Sequence, residues 1–147
     1  MPKKIGWETR LDAFLRERRR MPFSWQHHDC CMFPADAIKV MSGVDAAERY
    51  RLKYSKEIGA RRIVILAGGM EALAMQSMAA IGLEEVPPLK AQRGDPVLFN
   101  CRTDGDPDGL SGGILDLSGR RILAPVVDSV GLKEFPVTAA IRAWRLG

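Results

Sequence analysis

The chain has 147 residues, 46% of them apolar and 27% charged, with a formal net charge of +4. A length of this order suits a single domain, and it buries roughly two-thirds of the unfolded surface, enough for a core without disulfides or a structural metal. The composition excludes a disordered chain, and no apolar run approaches the roughly 18 residues of a membrane span.

The N-terminal stretch lacks the apolar core of a signal peptide, so synthesis and folding in the cytoplasm are expected. Cys30, Cys31 and Cys101 are the cysteines. An odd number, two of them adjacent, does not form a disulfide framework and points to a reducing compartment.

In chain order, Trp7, Leu11, Phe14 and Leu15 recur at helical spacing with charges between them, and Pro22 closes the segment. The densest positive charge, Arg16-Glu17-Arg18-Arg19-Arg20, falls at the end of this helix. Cations there complement the helix dipole, which favours a solvated helix end over an acidic-partner or nucleic-acid patch. No aromatic residue interleaves the run to stack on bases, and no nucleic acid is expected as a partner.

A loop over 22–28 leads to Asp29, a good N-cap. A buried helix is predicted over 30–41, carried by Cys31, Ala35, Ile38 and Met41 and stopped at Gly43. Pro34 sits at its fifth position, removes the donor to the carbonyl of Cys30, and predicts a distorted first turn. Residues 45–54 read as a short helix. Residues 58–69 mix a strand-like run, Ile63-Val64-Ile65-Leu66, with helix formers, and are assigned to helix. Residues 70–81 form a further helix with Leu73, Met78 and Ile81 on one side and Gly82 as its stop; its methionines read as core packing.

After Pro87-Pro88 the pattern changes to short apolar or alternating runs over 96–101, 113–117, 121–124 and 137–144, with Ser118-Gly119 as a tight turn. Helices first and a mostly antiparallel sheet second define an α+β domain spanning 1–147.

Three segments carry chemistry. Trp25-Gln26-His27-His28-Asp29-Cys30-Cys31 places a cysteine at a helix N-terminus, where the dipole and free amides favour the thiolate. The alternative reading of Cys30 is a small buried hydrophobe. Gln92-Arg93-Gly94-Asp95 is a turn feeding an apolar strand; its Arg-Gly-Asp triplet matches an adhesion tripeptide but leads straight into the core. Ser111-Gly112-Gly113-Ile114-Leu115-Asp116, followed by Ser118-Gly119, reads as a hairpin whose first strand approaches another backbone closely through its glycines.

In this order and spacing the three segments resemble the NlpC-type cell-wall peptidases of the papain-like superfamily, and a phage-associated branch of that group in particular. Trp25, Asp29 and Cys30 match the nucleophile element, with Gln26 in place of the usual glycine. Gly94 and Asp95 match the second element, and Gly113 and Ile114 the third. Ala143-Trp144-Arg145 is similar to the end of the phage branch. The resemblance implies a papain-like arrangement of N-terminal helices packed on a small C-terminal sheet, with Cys30 as candidate nucleophile.

The departure from that pattern is sharper than the match. Ser111 stands where the family carries its catalytic histidine, and the third polar residue falls near Ala124. His27 and His28 are the only histidines, and they precede the cysteine instead of facing it. They are the only candidate bases, against a reading as loop residues that bond locally.

The resemblance therefore implies a phage or prophage tail-tip or tail-assembly protein with a degenerate peptidase fold, carried in the virion tail. Its expected partners are other tail proteins of the hub or tip, or peptidoglycan. The alternative is an active cysteine peptidase or amidase cutting peptidoglycan stem peptides through Cys30. No cofactor and no metal are expected. His27, His28, Cys30 and Cys31 are too close in sequence to converge on one ion. Asp104, Asp106 and Asp108 open like a calcium loop, but Leu115 occupies the position of its bidentate Glu.

Overall fold

The structure, a computed structural model, describes residues 2–101 and 109–147. The Asp104–Asp106–Asp108 loop lies outside the described residues. Four helices come first: α1 (Trp7–Arg18), α2 (Met32–Ser42), α3 (Glu57–Ala67) and α4 (Met70–Ala80). Six strands follow: β1 (Glu84–Val86), β2 (Pro96–Asn100), β3 (Leu110–Leu115), β4 (Arg121–Ala124), β5 (Lys133–Pro136) and β6 (Ala140–Arg145). They form one sheet in the order β1-β6-β2-β3-β4-β5, every neighbouring pair antiparallel. The fold is α+β, helices N-terminal and sheet C-terminal.

The central helix is α2. Met32, Phe33, Ala35, Ala37, Ile38 and Met41 are all buried, and the helix packs on α1 and on β3. It ends where Gly43 adopts φ 81°, a left-handed conformation that glycine takes without a steric penalty. At the other end, Cys30 and Cys31 form a turn before regular helix begins at Met32, as Pro34 requires.

The strands alternate with period two. Leu98, Ile114 and Leu123 join the core under the helices, whereas Val97, Phe99, Leu115 and Ile122 form a second apolar cluster on the opposite face. Asp95, fully buried, ties the sheet together by accepting from the amides of Gln92 (2.8 Å) and Leu146 (3.0 Å) and from Arg145 Nε (3.2 Å). An Arg-Gly-Asp triplet with its carboxylate so enclosed presents nothing to a receptor.

Several sequence expectations are corrected. Residues 45–54 are a series of turns, not a helix. The Asp45 carboxylate accepts from the Ala47 amide and from Arg51, and Leu52 takes φ 64°, which no helix continues through. The strand expected over 113–117 runs earlier, over Leu110–Leu115, and the segment 137–144 opens with a 3-10 turn before β6 begins. Within the basic run Arg18 is not solvated. Its guanidinium pairs with Asp36 at 2.7 Å, and Asp36 also holds Arg51 at 2.8 Å, so α1, α2 and the 45–54 turns are linked through charge.

Candidate functional site

A cavity of about 500 Å³ opens beside the start of α2, within the size range of ligand sites. Its wall is mostly apolar, with Trp25, Val64, Ile65, Leu110, Val126 and Phe135 prominent among its residues. All three cysteines and Ser111 also line it.

Asp29 organises this end of the cavity. Its Oδ1 accepts from the amides of Cys31 (3.0 Å) and Met32 (2.8 Å), which caps α2, and its backbone carbonyl accepts from Phe33 N at 2.9 Å. Its Oδ2 accepts from the Gln26 amide (2.7 Å) and from the Tyr54 hydroxyl (2.5 Å). Burial first, and then the negative charge of Asp29, hold the Tyr54 hydroxyl well above its ordinary 10.0, so it remains a donor.

Gln26 takes φ 78°, a conformation suited to glycine, and keeps it through its side chain. The carboxamide donates to the Tyr54 carbonyl at 3.2 Å and accepts from the Leu52 amide at 2.9 Å.

Cys30 is half-buried on the cavity wall. Gly112 of β3 packs directly against its carbonyl, which brings Ser111 onto the same wall. The Ser111 hydroxyl is buried and donates at long range, 3.4 Å, to the Gly112 carbonyl. The Cys31 thiol points toward Met70, with Sγ 4.0 Å from Sδ. Ala124 is buried in the second apolar cluster, on the far side of the sheet.

The histidines are not part of this cavity. His27 is exposed on the 25–28 turn, its amide donating to the Ser24 carbonyl and its carbonyl accepting from Arg18. His28 is fully buried. Its Nε2 donates to the Gly131 carbonyl at 3.0 Å, and Arg18 approaches Nδ1 at 3.4 Å, which makes Nδ1 the acceptor and the ring neutral. Burial lowers the His28 pKa from 6.5, outweighing the bond to Gly131. The ring is a strut between α1 and the chain before β5. Among the described residues no group of three or more His, Cys, Asp or Glu side chains is placed to hold a metal ion.

Sequence reasoning did not find Tyr54 or the α3 wall. Gln26 had a signal, since it stands where the family resemblance has a glycine.

The fold and cavity define an α+β domain with a cysteine-lined pocket at a helix start. The chain belongs to the family described as Domain of unknown function (DUF6950), which it matches over residues 2–146. No curated protein and no solved structure matches it.

Proposed function

We propose that the chain is a phage or prophage tail-assembly module with a degenerate papain-like fold, in which the former cleft binds a partner and no longer hydrolyses one. The observation that carries this reading is that Cys30 and Ser111 share one cavity while neither histidine of the chain lines it. A cysteine nucleophile needs a base within about 3 Å or one bridging water. Serine at position 111 supplies no such base at neutral pH, and His28 has both nitrogens engaged elsewhere.

Two further features support descent from the papain-like scaffold. Gln26 keeps a glycine-type φ at the position where the resemblance has glycine. Gly112 makes the close backbone approach that seats β3 on the start of α2. The tail role rests on the resemblance to the phage branch, and the partner it implies is another tail protein.

The test is hydrolysis of purified peptidoglycan, paired with sedimentation of a tagged copy expressed from its prophage. The reading expects no released stem peptide, no difference between wild type and Cys30→Ala, and recovery of the tag with intact tails. Hydrolysis abolished by Cys30→Ala would establish the alternative, a cysteine peptidase or amidase. A tag found only in the soluble fraction would overturn the tail role.

A further inference from the structure

We infer that the outer face of α3 is a docking surface for an acidic, apolar segment of a partner protein. The inference does not depend on the tail reading.

Helix α3 is poorly integrated into the core: Ala60 is its one buried residue. Ile58, Ile65 and Leu66 are 70%, 74% and 81% exposed, and Leu52, just before the helix, is 80% exposed. Helices this short draw their stability from a packed apolar face, yet much of the apolar surface of α3 points outward. Seven residues are nearly two turns, so Ile58 and Ile65 lie within about 20° of each other on the helix and form one ridge. On the same spacing Arg61 and Arg62 fall on opposite sides of that ridge, and both are exposed.

Charge decides the occupant. Lys53, Lys56, Arg61 and Arg62 are all exposed, and Glu57 is the one carboxylate between positions 53 and 66. Glu57 pairs with Arg61 at 2.8 Å, while Arg62 forms no ion pair among the described residues. Apolar side chains on the partner would cover the isoleucine ridge, and carboxylates on either side would meet the arginines. A second copy of this chain fits badly. Antiparallel pairing about a two-fold would set Arg61 against Arg61 and Arg62 against Arg62 of the other copy, like charge on like. A lipid surface is the competing occupant, since Leu52 and Leu66 are exposed beside the isoleucines, and the vesicle arm of the experiment separates the two. The ridge runs into the cavity mouth, because Arg61 and Ile65 also line the cavity. A bound segment is therefore positioned to place a side chain there.

The experiment titrates the intact protein into a fluorescein-labelled amphipathic peptide, leucines on one face and glutamates on both flanks, and follows anisotropy. The same peptide with lysines for glutamates is the charge control. Phosphatidylcholine vesicles containing phosphatidylserine test the lipid surface, and sedimentation tests self-association.

The expected result is binding of the glutamate peptide that weakens with salt and falls about tenfold or more in Arg61→Glu/Arg62→Glu and in Ile58→Ser/Ile65→Ser. Arg10→Glu/Arg20→Glu, which removes the same charge elsewhere, should leave binding within about twofold. Thermal melts establish that each variant is folded, which the exposure of these side chains favours. Equal binding of the lysine peptide, or unchanged affinity in the arginine variant, overturns the inference. So does vesicle binding without peptide binding, or self-association that is lost in the isoleucine variant.

Discussion

The carbonyl oxygen of Cys30 faces the Cα of Gly112 so closely that a β-carbon on that glycine would lie 2.6 Å from it, and 3.0 Å from the Pro34 ring. Pro34 denies this carbonyl its helical donor, and the glycine strand packs where it points. Neither a backbone oxygen nor a prolyl ring can yield cheaply. Gly112→Ala is therefore expected to lose about 1–3 kcal/mol of stability through overpacking, read as a lower urea midpoint at unchanged slope. An unchanged midpoint would show that β3 is not seated on α2 as described.

Gln26 combines left-handed strain with two side-chain hydrogen bonds. Gln26→Ala keeps the strain and loses both bonds, whereas Gln26→Gly loses the bonds and relieves the strain. The glycine variant should be the more stable of the two by about 1 kcal/mol. Equal melting temperatures would mean that the turn relaxes freely.

His28 gives the fold a pH dependence of definite sign. Its folded pKa lies below 6.5 because burial disfavours the charged ring. Below that pH the unfolded chain binds the proton more readily than the folded one, so stability is full above 6.5 and falls as pH drops toward the folded value. Denaturant melts from about pH 7.5 to about pH 5 should show this loss. His28→Gln should be less stable at the upper end and nearly flat across the window. A parallel slope in that variant would assign the dependence to other groups.

Asp95 is buried, with two amides and Arg145 as donors. Asp95→Ala leaves both amides without their acceptor, while Arg145 keeps the Lys90 carbonyl, and should cost about 2–3 kcal/mol. Hydrogen exchange should show the loss first at the amides of Gln92 and Leu146. Protection there equal to wild type would refute the assignment.

Ser111→His tests the chemistry directly. An imidazole on this wall, beside Cys30, should raise the alkylation rate of Cys30 by iodoacetamide at neutral pH about tenfold or more. A rate unchanged from wild type would mean that position 111 does not address the thiol.

The order of helices and sheet was legible because Gly43, Gly82 and the Pro87-Pro88 break punctuate strongly periodic segments. The 45–54 segment misled because its apolar spacing is helical while Asp45 binds the Ala47 amide and Arg51, and Leu52 turns left-handed. β5 gave little sign of itself: Lys133 and Glu134 are exposed, and Pro136 ends it at the sheet edge. Cys30 and Ser111, singled out in separate sequence segments, line one cavity. Tyr54 reaches Asp29 across 25 positions, and α3 closes the cavity from a segment with no chemical motif; both depend on packing that no local pattern encodes.

Asp29 accepts four hydrogen bonds, two on each oxygen, which uses the acceptor capacity of a carboxylate. Although it lines the cavity, it has no lone pair left for a guest. Recognition at that end therefore depends on shape and apolar volume, and affinity there should barely change with ionic strength. The arginine contacts of α3 should fade within the Debye screening of ordinary buffers. A ligand that used both would reveal itself by a salt titration that levels off at a plateau, the height of which reports the apolar contacts of ridge and cavity together.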